Sequence, residues 1–266
     1  MSGPPAPGPA LTRVAATRYV TPLREGGSLP ALVEADDDGL YVLKFRGAGQ
    51  GPKVLVAEIL AGEIARELGL PMPEIVLVDL DPALGGAEPD PEIHDLLRAS
   101  RGVNVGLDYL PGSLPYDPAD GRSIDPALAA EVVWLDALLT NVDRTASNPN
   151  LLVWHERLWL IDHGAALYAH HGDPALGGAW GRPFPAIAQH VLLDLAGSVA
   201  EADARLAPRL DPATIERVVD LVPDELLDDE PGMTPAERRA AYRDHLTRRA
   251  AAPRAFVREA EDARGA

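Results

Sequence analysis

Short apolar runs separated by turn residues mark the first part of the chain and are typical of a small β-rich unit. Residues 18–23 and 29–34 are predicted strands on either side of a glycine-containing turn, 25–28. An Asp-Gly pair then indicates a hairpin and leads into a third predicted strand, 40–45. Lys44 is a single cation near the end of this apolar strand, where its amine either turns out to water or serves a polar site.

Apolar residues at helical spacing follow from residue 53 to residue 68 and predict an α-helix there. Gly69 and two nearby prolines end this helix, because neither residue type continues it well. Glu58 and Glu63 both lie on the helix. A carboxylate at one of these positions can pair with Lys44 and hold its amine toward phosphate oxygens. Glu63 fits better on a solvated face.

Two further apolar runs, 151–154 and 158–161, predict a β-hairpin around a three-residue loop. Opposed residues of antiparallel strands lie about 5 Å apart, so this register places Asn150 opposite Asp162. A loop of another length shifts the pairing by one residue, and the polar ends still meet. Mg²⁺ prefers oxygen ligands, so Asp162 and an asparagine form a candidate magnesium site. Asp143, just upstream, would overlook it as a base or orienting group.

The remainder of the chain is predicted to be mainly helical, with one extended linking segment, 103–110. The predicted helices cover 126–140, 186–207, 212–221 and 235–263, the last broken at Pro253. Arginines on the last helix are Arg238, Arg239, Arg243, Arg248 and Arg249. Acidic residues lie among these arginines, which indicates a solvated helix face. The adjacent His170 and His171 indicate a surface loop.

Composition narrows the class of protein. The chain of 266 residues has no cysteine, which excludes disulfides and cysteine-based zinc sites. Its net charge of −17 argues against broad nucleic-acid binding, because phosphate backbones attract basic surfaces. The first ten residues hold four prolines and no basic residue, unlike a signal peptide, and no apolar run approaches the ~18 residues of a membrane span. We therefore expect a cytoplasmic protein without a membrane partner.

The order of these features resembles the kinase superfamily, and most closely the HipA-like kinases. The shared order is a glycine turn, a strand lysine, a helix glutamate, an extended link, a helix, an aspartate, an asparagine, a hairpin and a second aspartate. Residues 57–73 are similar to the family's helix that carries the lysine's partner and ends in a Gly-apolar-x-x-Pro turn. The resemblance covers residues 15–170 and favours Glu58 as the partner of Lys44.

The resemblance implies an α+β, two-lobed protein-kinase-like fold, with a small β-rich N-lobe that has one helix and a mainly helical C-lobe. The implied divisions are a flexible N-terminus (1–10), a nucleotide-binding N-lobe (11–108), a C-lobe with catalytic loop and metal site (109–252), and a C-terminal helix end or tail (253–266). The implied cofactors are ATP and Mg²⁺. The phosphoryl acceptor would be a hydroxyl of a protein or a small molecule.

Site roles also follow from the resemblance. Lys44, held by its partner Glu58, would contact the nucleotide's phosphates, Asp143 would accept or orient the substrate proton, and Asp162 would hold Mg²⁺. Two asparagines compete as the second metal ligand: spacing from Asp143 selects Asn148, and adjacency to the hairpin selects Asn150. The implied nucleotide contacts, besides Lys44, are Gly26, Gly27, Ser28, Asp108, Tyr109 and Leu110.

Three departures from the kinase pattern leave alternatives open. Thr145 replaces the usual His or Gly near the catalytic Asp, residues 162–164 read Asp-His-Gly instead of Asp-Phe-Gly, and the glycine turn is short. None removes a charge that phosphoryl transfer requires. We expect a kinase, with a nucleotide-binding pseudokinase or regulatory module as the alternative. A metal-dependent hydrolase fits less well, since it leaves Lys44 and Glu58 without a role.

Overall fold

Five strands in the first half of the chain close into a barrel. The computed structural model describes residues 10–23, 29–87, 90–228 and 231–265. The barrel strands are β1 (Arg13–Pro22), β2 (Ala31–Ala35), β3 (Leu40–Lys44), β4 (Ile75–Leu80) and β5 (Gly102–Asp108). Their order around the barrel is β1-β2-β3-β5-β4, in which β1 and β4 pair in parallel and the other neighbours are antiparallel.

The three predicted strands overlap β1, β2 and β3, although β1 begins earlier than expected, at Arg13. The predicted glycine-containing turn with Gly26, Gly27 and Ser28 lies outside the described residues. Most of the expected flexible N-terminus, 1–10, also lies outside them.

Helix α1 (Pro52–Glu67) coincides closely with the predicted helix and packs between the barrel and later helices. Proline suits its first turn, where a backbone N–H would have no helical partner. Gly69, with a φ of 79°, lets the chain turn away after the helix. Both sides of α1 are covered, so Glu58 in its middle is fully buried.

A second helix, α2 (Pro91–Ala99), connects β4 to β5, so the expectation of one helix within residues 11–108 is wrong. Asp90 caps α2 by accepting a hydrogen bond from the N–H of Glu92 at 3.0 Å. Ile93 and Leu97 are buried against the barrel. The sequence signal for this helix is an Asp-Pro start followed by two apolar residues four positions apart.

The rest of the described chain contains further helices and a small sheet. The helices are α3 (Pro126–Leu139), α4 (Val199–Leu206), α5 (Pro212–Asp220), α6 (Pro235–Ala250) and α7 (Ala255–Arg264). The sheet strands are β6 (Leu114–Pro115), β7 (Leu151–Trp154) and β8 (Arg157–Leu160). Helix α7 packs on α3, with the rings of Trp134 and Phe256 edge to face at 5.7 Å between centroids. Helix α7, which lies in the segment expected to be a helix end or tail, therefore contributes to the core. None of the described helices is long and apolar enough to cross a membrane.

The hairpin of β7 and β8 has a different register from the expected one. Its loop has two residues, His155 and Glu156, with φ values of 48° and 63°, because this kind of tight turn matches the twist of the strands. Asn150 therefore faces Ile161 and not Asp162, and the Ile161 N–H donates to the Asn150 carbonyl at 3.1 Å. The polar ends still meet, one residue out of the expected alignment.

The predicted helix 186–207 forms only at its end, as α4. Short 3-10 turns occupy Pro185–Gln189 and Leu193–Leu195. The ring of His190, between these turns, is buried and forms a hydrogen bond with a buried carboxylate of α3. Ser198 accepts a hydrogen bond from the Glu201 N–H at 3.2 Å and starts α4 as a separate helix.

Two arginines of α6, Arg238 and Arg249, are buried, so the expectation of a solvated face is wrong for them. Arg249 donates to the carbonyls of Leu138 and Ala137 at 2.6 and 2.8 Å. These carbonyls lie in the last turn of α3, where helix geometry supplies no N–H partner. The guanidinium thus satisfies acceptors that would otherwise be buried without a hydrogen bond.

Histidines are also more buried than their sequence context indicates. His170, expected on the surface, is fully buried, and its Nδ1 lies 3.0 Å from the Tyr242 hydroxyl. His245 on α6 is 2 % exposed, and neither of its ring nitrogens has a hydrogen-bond partner among the described residues. Burial lowers the pKa of His170 to about 2 and that of His245 to about 4.

These buried histidines predict an acid-sensitive fold. Unfolded histidines titrate near pH 6.5, so below that pH the unfolded chain binds protons that the folded protein does not, and stability falls with pH. Between pH 7 and pH 5 we expect each of the two to cost about 2 kcal/mol of unfolding free energy. The measurement is urea denaturation at both pH values.

His245→Leu tests this explanation directly. The variant should lose about 2 kcal/mol less than the parent between pH 7 and pH 5. It should also be at least as stable as the parent at pH 7, because it removes two buried nitrogens without partners. An unchanged loss on acidification would show that His245 does not contribute.

Candidate active site

Lys44, at the end of β3, lies between two carboxylates. Its Nζ donates to Oε2 of Glu58 at 2.9 Å and to Oδ1 of Asp162 at 2.5 Å. The barrel supplies the lysine, α1 supplies the glutamate, and the segment after β8 supplies the aspartate. Three distant parts of the sequence therefore meet at the ammonium group of a lysine that is only 8 % exposed.

The charges at this point stabilise one another. Burial alone would lower the pKa of Lys44, but the charges of Asp162 and Glu58 outweigh it and raise that pKa above its ordinary value. Lys44 in turn lowers the pKa of Asp162. Burial raises the pKa of Glu58, because Lys44 offsets only part of the lost hydration. At neutral pH, Lys44 is thus a cation beside an ionised Asp162.

Close packing after Asp162 requires a glycine. A Cβ atom added to Gly164 would lie 2.5 Å from Cγ1 of Val54 on α1, which is far inside van der Waals contact. The glycine therefore allows the segment that carries Asp162 to pass against the helix that carries Glu58. Glu63 on the same helix does not reach this site, and its carboxylate pairs with Arg66 at 3.3 Å.

Asp143 lies half-buried in the loop after α3, and both candidate asparagines bind it. Its Oδ2 accepts hydrogen bonds from Nδ2 of Asn148 at 2.7 Å and from Nδ2 of Asn150 at 3.2 Å. No group in the described parts of the chain donates to Oδ1 of Asp143. Asn150 is half-buried and pairs with the residue before Asp162, whereas Asn148 is exposed.

A buried carboxylate on α3, Asp136, fixes this loop. Its Oδ1 accepts from Asn141 at 2.9 Å, and its Oδ2 contacts Nε of Arg144 at 2.5 Å and Nε2 of His190 at 2.9 Å. Burial alone would raise the pKa of Asp136, but Arg144 and His190 outweigh it and hold that pKa well below its ordinary value. Sequence reasoning missed this residue, although an aspartate among the apolar residues in the second half of α3 was its signal.

Arg144, next to Asp143, is 1 % exposed and uses all of its nitrogens. Besides Asp136, it donates to the carbonyls of Asn150 and Ile161, the latter at 3.3 Å. Its Nη2 lies 2.9 Å from Nε2 of His163. The arginine therefore ties the Asp143 loop to both polar ends of the hairpin.

His163, between Asp162 and Gly164, is fully buried beside Glu58. Its peptide N–H donates to Oε2 of Glu58 at 2.9 Å. Its ring Nδ1 is 4.0 Å from Oε1 of Glu58, and neither of these two atoms has a hydrogen-bond partner in the described structure. Burial, assisted by the charge of Arg144, lowers the pKa of His163 to about 3.

Two of the three residues at the end of β5 that are expected to contact nucleotide use their N–H groups within the barrel. The N–H of Asp108 donates to the Glu74 carbonyl and that of Tyr109 to the Leu40 carbonyl, both at 2.9 Å. These two N–H groups are therefore committed to the barrel, because the segment continues the sheet pairing. The Leu110 N–H has no acceptor within the ranges that the structure describes.

The donor set for a metal is small. Among the described residues, no group of three or more His, Cys, Asp or Glu side chains is arranged to hold a metal ion. A Mg²⁺ ion in phosphate chemistry needs fewer protein ligands, because one or two protein oxygens combine with water and phosphate oxygens. The carboxylate of Asp162 and the amide carbonyl of a neighbouring asparagine are hard oxygen donors of this kind.

A barrel with a buried Lys-Glu pair, joined to a helix whose following loop carries Asp143 and to a hairpin followed by Asp162, defines a protein-kinase-like fold. The family model described as HipA-like kinase matches residues 17–175, which is more than half of the chain. The chain belongs to the HipA-like kinase family. No curated protein sequence matches it.

Two solved kinase structures are similar to the chain at low sequence identity. The chain is similar to the crystal structure of a Helicobacter pylori proinflammatory kinase, CtkA, with 14% identity and a TM-score of 0.60 over 96% of this chain and 99% of that one. A Golgi casein kinase structure with Mn/ADP bound matches with 12% identity and a TM-score of 0.48, over 96% of this chain and 74% of that one. The likeness to CtkA supports the fold.

We expect Asp136 to be essential for stability. In Asp136→Ala, the charge of Arg144 stays buried without its carboxylate, which should lower the unfolding free energy by about 3–5 kcal/mol. Urea denaturation measures this loss. Glu131→Ala is the matched control on the same helix, since Glu131 pairs with the more exposed Arg205 at 3.0 Å and its loss should cost less than about 1 kcal/mol. Equal losses in the two variants would contradict the anchoring role.

Proposed function

We propose that this chain is an ATP- and Mg²⁺-dependent phosphotransferase that transfers the γ-phosphoryl group to a hydroxyl, with Ser or Thr of a protein as the acceptor. The observation that carries the proposal is Lys44 held between Glu58 and Asp162. Membership of the HipA-like kinase family supports the same chemistry. In this proposal residues 11–108 and 109–252 act as two lobes around the nucleotide.

The nucleotide would lie between the end of β5 and Lys44. The free N–H of Leu110 and the carbonyl of Asp108 would bind the adenine edge, as one donor and one acceptor two residues apart. Lys44 would contact the phosphates, because a buried ammonium in a dry site interacts strongly with anionic oxygens. By family resemblance, Gly26, Gly27 and Ser28 would cover the phosphates.

Asp162 and Asn150 would hold the magnesium ion. Their carboxylate and amide oxygens are the ligands Mg²⁺ prefers, and Nδ2 of Asn150 is already directed to Asp143, which leaves its carbonyl oxygen for the metal. A magnesium ion bound there would neutralise negative charge on the phosphoryl group that is transferred. Asn148, exposed and bound to Asp143, would orient the carboxylate.

Asp143 would receive or orient the proton of the substrate hydroxyl. Two amide groups hold its Oδ2, so the carboxylate has a fixed direction. Its Oδ1 has no donor among the described groups and can accept a hydroxyl proton. A positioned base of this kind contributes about 10²–10⁴-fold to rate.

Asp143→Asn tests the base directly. The variant should lower phosphoryl transfer from radiolabelled ATP about 10²–10⁴-fold without loss of fold, as judged by circular dichroism. Glu63→Gln is the control, because Glu63 lies on α1 away from Lys44 and should leave the rate unchanged. Transfer by Asp143→Asn at the parent rate would show the assignment to be wrong. Nucleotide binding by the parent without any transfer would favour the regulatory-module alternative.

A second experiment should distinguish the roles of the two asparagines. Asn150→Ala should lose the Mg²⁺-dependent part of the thermal stabilisation by ATP, because it removes a metal ligand. Asn148→Ala should keep that part and lower only the transfer rate, since it leaves Asp143 less well oriented. The measurement is thermal denaturation with ATP, with and without Mg²⁺, and the reverse pattern would exchange the two roles.

A further inference from the structure

The ring of His163 faces both halves of the candidate site, one with each ring nitrogen. Nε2 lies 2.9 Å from Nη2 of Arg144, and Nδ1 faces Oε1 of Glu58. A guanidinium has donors and no acceptor, so Nε2 must accept this hydrogen bond. The ring hydrogen of the neutral imidazole is therefore on Nδ1, the nitrogen that faces Glu58.

The contact on the Glu58 side is incomplete. Nδ1 of His163 and Oε1 of Glu58 are 4.0 Å apart, both are buried, and neither has another partner among the described residues. The other oxygen of Glu58 already binds Lys44 and the His163 peptide N–H. An approach of about 1 Å would bring the two atoms within hydrogen-bond distance and satisfy a buried donor and a buried acceptor together.

We propose that His163 is a positioning residue whose Nδ1–H closes onto Glu58 when nucleotide binds, and so couples the Lys44–Glu58 pair to the Asp143 loop through Arg144. The inference rests on the proposed function, because nucleotide at Lys44 provides the closing force. His163 touches neither substrate nor metal in this scheme. Its role is to make the barrel half and the helical half of the site adopt one relative position.

Nuclear magnetic resonance of ¹⁵N-histidine protein tests the contact without any activity. The signal of His163 is identified by its absence in His163→Gln. We expect the Nδ1–H tautomer in the free protein, and slower solvent exchange of that hydrogen after addition of ADP and Mg²⁺. The Nε2–H tautomer, or exchange unaffected by saturating nucleotide, would overturn the inference.

Two variants separate positioning from simple packing. His163→Phe keeps an aromatic ring but can neither accept from Arg144 nor donate to Glu58, so we expect kcat to fall about 10-fold with the KM for ATP changed less than 2-fold. His163→Gln can make both contacts through one amide, and most of the rate should return. Parent-like kcat in His163→Phe, or equal defects in both variants, would overturn the proposal.

The two proposals fail in different ways. A parent protein that transfers no phosphate but shows the nucleotide response at Nδ1–H would count against the proposed function alone. A parent protein that transfers phosphate but carries the Nε2–H tautomer would overturn the role of His163 alone.

Discussion

The arrangement of the candidate site depends on one buried ion pair, Asp136 with Arg144. Both side chains are inaccessible to water, so neither charge is tolerable without the other. Asp136 belongs to a rigid helix, and Arg144 is the residue after Asp143. Through this pair, the position of the Asp143 loop is set by α3, and the remaining donors of Arg144 extend the constraint to Asn150 and Ile161.

Charge balance at the other half of the site explains why a metal ion belongs in the proposed reaction. Three carboxylates, Glu58, Asp143 and Asp162, surround the region where Lys44 provides one positive charge. The triphosphate of a nucleotide placed here would be repelled by the net negative charge of these groups. This repulsion is strong where water is excluded. In the proposed reaction, a divalent cation held by Asp162 would offset this net negative charge. The net charge of −17 makes such local compensation more important, since the rest of the protein adds no attraction for nucleotide.

Much of the fold follows from short-range patterns in the sequence. The strand of Lys44, the helix of Glu58 and the hairpin were predictable because periodicity and turn residues act over a few positions. Asp136 and its partner His190 were not, since they lie 54 positions apart and only folding brings them together. The hairpin register was missed by one residue, because two- and three-residue loops differ in backbone geometry that the letters do not specify. The buried arginines of α6 were mistaken for surface residues, because the sequence does not show which carbonyls at a helix end need a hydrogen-bond donor.

The corrected register bears on the two asparagines. The backbone of Asn150 is held from both sides, by the Ile161 N–H and by Arg144, in a left-handed conformation with a φ of 50°. The side chain of Asn150 therefore extends from a fixed backbone position next to Asp162, as the proposed role of metal ligand requires. Asn148 is held within its own turn by hydrogen bonds to Thr145 and faces solvent. The spacing from Asp143 selects Asn148, whereas the backbone hydrogen bond to the residue before Asp162 is the feature that favours Asn150 in the proposed metal site.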